Sequence, residues 1–71
     1  MNAKEIGKRL VKLRGERTQA EVAKAIGISA STLSMYENGE RIPRDNIKLK
    51  LSNYYNRKIE AIFFVKNDHE T

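Results

Sequence analysis

Between Ile28 and Tyr36 this 71-residue chain carries no charged side chain, although charged residues make up 32% of the whole. The segment sets Ser29, Ala30, Ser31, Thr32, Ser34 and Met35 around the apolar Leu33 and Tyr36. At helical spacing Leu33 and Tyr36 turn inward and the small residues turn outward. A solvated helix face ordinarily carries lysine and glutamate. Hydroxyls donate to or accept from base edges, and methyl groups contact the thymine methyl, so this face has the chemistry of a base-reading surface. A bland low-charge patch or a protein interface would have the same composition.

The other polar residues assemble no catalytic set. The chain has no cysteine, which excludes disulfides, thiolate zinc sites and cysteine nucleophiles. His69 is the single histidine, beside Asp68 and Glu70, and reads as solvated rather than metal-binding. There is no Ser/His/Asp set with a scaffold and no glycine loop built to cradle phosphate. The expectation is a protein that is not an enzyme and takes no metal or cofactor.

Charge points to a polyanion. Lysine and arginine number 14 against 9 acidic residues, a net charge of +5. Residues 1–58 hold 13 basic and 6 acidic side chains, whereas residues 59–71 hold Lys66 against Glu60, Asp68 and Glu70. The positive excess therefore lies in the part expected to fold, which suits nucleic acid first and an anionic membrane surface second. No helix pattern combines a wide bulky apolar face with dense Lys/Arg, which argues against the membrane surface. No apolar run approaches the ~20 residues of a span, and no apolar core of a secretory signal follows the basic N-terminus. A cytoplasmic location is expected.

Length permits one small domain. A chain of this size buries only about 60% of its unfolded surface. The patterning predicts an all-α, five-helix fold over residues 1–65 and a polar tail over 66–71. Ile6, Leu10 and Leu13 form the stripe of a first helix, Ala3 to Arg14. Gly7 inside it costs ~1 kcal/mol relative to alanine, and Gly15 stops it. Thr18-Gln19-Ala20-Glu21 matches a capping box opening a second helix, with Val22, Ala23 and Ile26 inward. Gly27 ends that helix, and Ser29 caps the third. Asn38-Gly39 closes the third helix. A fourth helix, about Arg44 to Tyr55, turns Ile47, Leu51 and Tyr54 inward, and Asn56 is a left-handed cap. A fifth spans about Ile59 to Phe64. Two helices joined by a few residues around Gly27 form a helix-turn-helix.

Three pieces occur together: Thr18-Gln19-Ala20-Glu21-Val22-Ala23, then Ile26-Gly27-Ile28-Ser29, then Leu33-Ser34-Met35-Tyr36-Glu37-Asn38-Gly39. In these, and over about residues 4–64, the chain resembles the Xre/Cro-type, lambda-repressor-like helix-turn-helix family. The resemblance implies a five-helix, sequence-specific regulator of transcription, expected to be a repressor, that binds double-stranded DNA as a homodimer. It implies that the third helix lies in the major groove, with Ser29, Ala30, Ser31 and Met35 facing bases and Thr32 and Ser34 at the edge. It implies that Gln19 touches a phosphate or an adjacent base and that Asn38, Arg41 and Arg44 grip the backbone, with Lys12 and Arg17 as weaker candidates. It also implies an ion pair between Arg14 and Glu37 that ties the first helix to the third.

The chain departs from the family in a short Gly15-Glu16-Arg17 loop and in Arg17, which stands where members place an apolar residue. Its third helix also lacks long polar readers. Phe63 and Phe64 are neighbours and cannot easily share one core. With Ile62 and Val65 they are the expected dimer surface. A second class of function is a protein-interaction adaptor or antitoxin-type module with a regulatory protein partner.

Overall fold

The computed structural model describes residues 2–65. Expectations for the tail, His69 included, lie outside the described residues. Five helices follow in order: α1 (Ala3–Arg14), α2 (Gln19–Ile26), α3 (Ala30–Glu37), α4 (Asp45–Tyr55) and α5 (Ile59–Phe63). No strand occurs among the described residues. None of these helices is long and apolar enough to cross a membrane.

Short-range signals set the helix ends. Asn2, Thr18 and Ser29 each accept a backbone N–H three residues ahead, from Glu5, Glu21 and Thr32 at 3.0–3.1 Å. A side-chain cap of this kind contributes about 1 kcal/mol. Only the Thr18 half of the capping box forms among the described residues. Gly27 takes a left-handed conformation, φ 81° and ψ 31°. It lets the Ile28 N–H return to the Ala23 carbonyl at 2.9 Å, the bond pattern that closes a helix and turns the chain sharply. Asn56 closes α4 in the same region, φ 55°.

α1 supplies Ile6 and Leu10 to the core, with Leu13 half-buried at its edge. Val22, Ala23 and Ile26 of α2 and Leu33 and Tyr36 of α3 meet them. The inner face of α4 is rotated from the expected one. Leu51 and Tyr55 are buried while Ile47 and Tyr54 are half-buried. Lys48 and Ser52 are buried as well, because α4 must seat on both α2 and α5.

The C-terminal expectation needs a correction. Ile62 and Phe63 are 1% and 2% exposed and belong to the core, so neither can form a dimer surface. Phe64 and Val65 are 52% and 45% exposed. Successive helical side chains point about 100° apart, so one phenylalanine goes in and its neighbour stays out. The Lys48 ammonium decides nothing alone but fits this choice. It lies 6.0 Å from the Phe63 ring centre and 5.3 Å from that of Phe64, with Asp45 at 3.5 Å. Its stem covers the rings while its charge is held by their π faces and one carboxylate. On the other side, Arg9 Nη1 donates to the Ile62 carbonyl at 2.7 Å and fastens α5 to α1.

Candidate nucleic-acid interface

The turn Gly27–Ser29 sets α3 directly after α2. Leu33, Tyr36 and Glu37 are its buried side. Ser29, Ala30 and Ser31 are exposed, and Thr32, Ser34 and Met35 are half-buried. The helix thus shows solvent a face without charge.

The hydroxyls on this face bond to one another. Ser29 Oγ donates to Thr32 Oγ1 at 2.8 Å and lies 3.2 Å from Ser31 Oγ. Ser34 Oγ accepts from Asn38 Nδ2 at 3.3 Å, and Glu40 Oε2 takes the same amide at 3.4 Å. Asn38 is therefore engaged within the domain. Arg41 and Arg44 are exposed, and neither enters a salt bridge among the described residues. Both follow α3 in the connection to α4, where Arg44 is the residue before the first turn.

Behind α3 lies a polar cluster. Arg14 Nε donates to Glu37 Oε2 at 2.8 Å, and Gln19 Nε2 donates to Glu37 Oε1 at 2.7 Å. A carboxylate only accepts, so the amino end of Gln19 must face it. Gln19, expected to touch DNA, thus has its amino group turned into the domain. The hydrogen bond to Glu37 holds the Arg14 guanidinium above its ordinary pKa, against desolvation. Arg14 Nη1 also donates to the Arg17 carbonyl at 2.7 Å and shapes the short α1–α2 loop.

Arg17 solves a problem the sequence posed. Its guanidinium lies 5.3 Å from the Tyr54 ring centre and 5.6 Å from that of Tyr55. A planar cation stacks on aromatic faces, so it occupies a position that otherwise favours an apolar residue. Lys12 lines a cleft of about 460 Å³ with Arg9, Leu13, Arg57, Ala61 and Ile62, between α1 and α5. No local signal in the sequence pairs Arg17 with the tyrosines.

Tyr55 completes the cluster. Its hydroxyl is buried with no hydrogen-bond partner among the described residues. Burial first, then the Glu37 carboxylate, push that hydroxyl up to about 12 from 10.0. The unfolded chain ionises Tyr55 first, so above pH 10 it holds fewer protons than the folded chain. The Tyr55 contribution is complete below pH 10 and is lost as pH rises toward 12. Tyr55→Phe removes an unpaired hydroxyl, which costs little or stabilises. We expect urea unfolding of Tyr55→Phe at pH 7 to match or exceed the parent, and its stability to decline less steeply above pH 10. A steeper decline would contradict the assignment.

Two short helices packed across a glycine turn, the second with an uncharged outer face, define a helix-turn-helix domain. The Helix-turn-helix family model matches residues 8–62, and the chain belongs to that family. An uncharacterized HTH-type transcriptional regulator of Methanocaldococcus jannaschii is 33% identical over 51 residues, which cover 72% of this chain and 77% of that protein. No solved structure gives a significant match.

Proposed function

We propose that this chain is a sequence-specific regulator of transcription that binds double-stranded DNA, laying α3 in the major groove. Ala30, Ser31 and Met35 face the bases, with Ser29, Thr32 and Ser34 at the margin. Arg41 and Arg44 hold phosphates, with Asn38 bracing the loop between them and α3. One observation carries the reading: the exposed α3 face without charge, with two exposed arginines in the following connection that enter no salt bridge among the described residues. Phosphate contacts supply affinity and position, and the base-facing side chains supply selection. Occupancy of an operator makes the chain a repressor. The exposed Phe64 and Val65 serve a homodimer, whose half-sites lie about 34 Å apart.

Titration of labelled duplex over a salt series tests this. With about five phosphates neutralised per protomer, log affinity falls against log salt with a slope near −4 to −5. Arg44→Ala weakens binding and makes that slope shallower by about one. Ser31→Glu sets a negative charge against the duplex and abolishes binding. Duplex affinity indifferent to both substitutions would favour a protein-interaction module, for which Phe64 and Val65 would be the docking residues.

A further inference from the structure

We infer that the base pairs contacted by α3 are adenine–thymine, recognised by the thymine 5-methyl group and the adenine amino group. This rests on α3 being the groove-facing helix, as proposed above, and names what that face selects.

The inference starts from where the hydroxyl protons on α3 go. Ser29 Oγ accepts the Thr32 backbone N–H at 3.0 Å and donates its one proton to Thr32 Oγ1 at 2.8 Å. A serine hydroxyl has a single proton. In the 3.2 Å contact between Ser29 Oγ and Ser31 Oγ, Ser31 can act as the donor, which leaves its lone pairs free to accept from a base edge.

Beside Ser31 the face presents the apolar Ala30 and Met35. Ser31 and Met35 are four residues apart and share one side of the helix, and Ala30 borders them. Ser34 Oγ is engaged by the Asn38 amide. From Ser29 to Tyr36 there is no Arg, Lys, Asn or Gln, so the bidentate readers of guanine and adenine are missing. A base-pair edge that fits brings an apolar group to Ala30 and Met35 and a polar partner to the Ser31 hydroxyl. An adenine–thymine pair offers both, through adenine N6–H and the thymine methyl. A guanine–cytosine pair brings no methyl group to Ala30 and Met35. Cytosine has the amino donor but only a hydrogen where thymine has its methyl.

The test uses the full chain. Bound duplexes are selected from a random pool, and the best site is synthesised with thymine and with deoxyuridine, which lacks only the 5-methyl group. A random duplex is made in both forms. The expected consensus places adenine–thymine pairs in each half-site. Deoxyuridine weakens the selected site about fourfold for each contacted methyl, the worth of one buried methyl group, and leaves the random duplex unchanged. Met35→Ala, which keeps the helix, shrinks that penalty. A guanine–cytosine consensus, or a selected site bound equally well with uracil, overturns the inference while leaving duplex binding in place. Failure to bind either duplex at low salt overturns the underlying reading, and the inference with it.

Discussion

Gly7→Ala is expected to cost the domain ~3 kcal/mol or more, at the upper end of what overpacking ordinarily costs. Helix propensity points the other way, since alanine in a helix interior is favoured over glycine by ~1 kcal/mol. Tertiary packing reverses the sign. A β-carbon at Gly7 would lie 2.9 Å from the Tyr36 carbonyl oxygen and 2.9 Å from the Glu37 carbonyl carbon, and closer still to the Glu37 oxygen. These are backbone atoms at the end of α3, so no side-chain rotation relieves the contact. Helix α3 has to move away from α1. Native stability runs at roughly 0.05–0.15 kcal/mol per residue, so a chain this short loses a large fraction of its total. Gly15→Ala is the control. It carries φ +59° and ψ −127°, outside the left-handed helical region, with nothing within 4 Å of the added carbon, so backbone strain of ~1–3 kcal/mol applies without a steric clash. Urea unfolding of the two variants compares them directly. A Gly7→Ala protein as stable as the parent would show that α1 and α3 do not meet at this residue.

Gly7 also marks where the sequence stops being legible. Helix caps are local, and Thr18, Ser29 and Asn56 announce theirs through residue type and a partner at most a few positions away. The turn at Gly27 is equally local, because the bond pattern that closes α2 demands a left-handed residue there. The reason for Gly7 lies in α3, far along the chain, and within α1 it reads only as a penalty. The same holds for Arg17, whose aromatic partners come from α4. Phe63 and Phe64 show an intermediate case. Helix geometry requires that they part, but which one enters the core depends on how α5 lies against Lys48 and α1. Tyr54 and Tyr55 repeat it, and there the buried ring is the one the spacing of Ile47 and Leu51 did not favour. At the candidate interface, the outward set on α3 follows from spacing. The bonds among its hydroxyls, and the turning of Gln19 toward Glu37, are three-dimensional facts that no periodicity encodes.

Gln19 is one of two ligands of a buried carboxylate, and the other, Arg14, gives the second large expected effect. Arg14→Met is expected to destabilise the fold by about 3–5 kcal/mol, the cost of stranding one member of a buried pair. The Glu37 side chain is 1% exposed, and that of Arg14 is 20% exposed. Each oxygen of Glu37 receives one donor, Arg14 Nε at 2.8 Å and Gln19 Nε2 at 2.7 Å. Without Arg14 a full negative charge stays in the interior with a neutral amide as its partner. Removing the charge from the other side is milder. In Glu37→Gln the guanidinium keeps its access to water and its bond to the Arg17 carbonyl, so the loss is nearer the 1.5–3 kcal/mol of a hydrogen bond to a charged group. The order of the two single variants is the sharp part of the prediction, because a purely pairwise attraction would make them equal. The double variant should lose less than the sum of the two, since the second substitution removes the charge that the first one strands. Chemical unfolding of the three proteins reads all of this. Equal losses in the single variants, or strict additivity, would mean that water reaches Glu37 and that the cluster joining α1, α2 and α3 does not hold α3 in place.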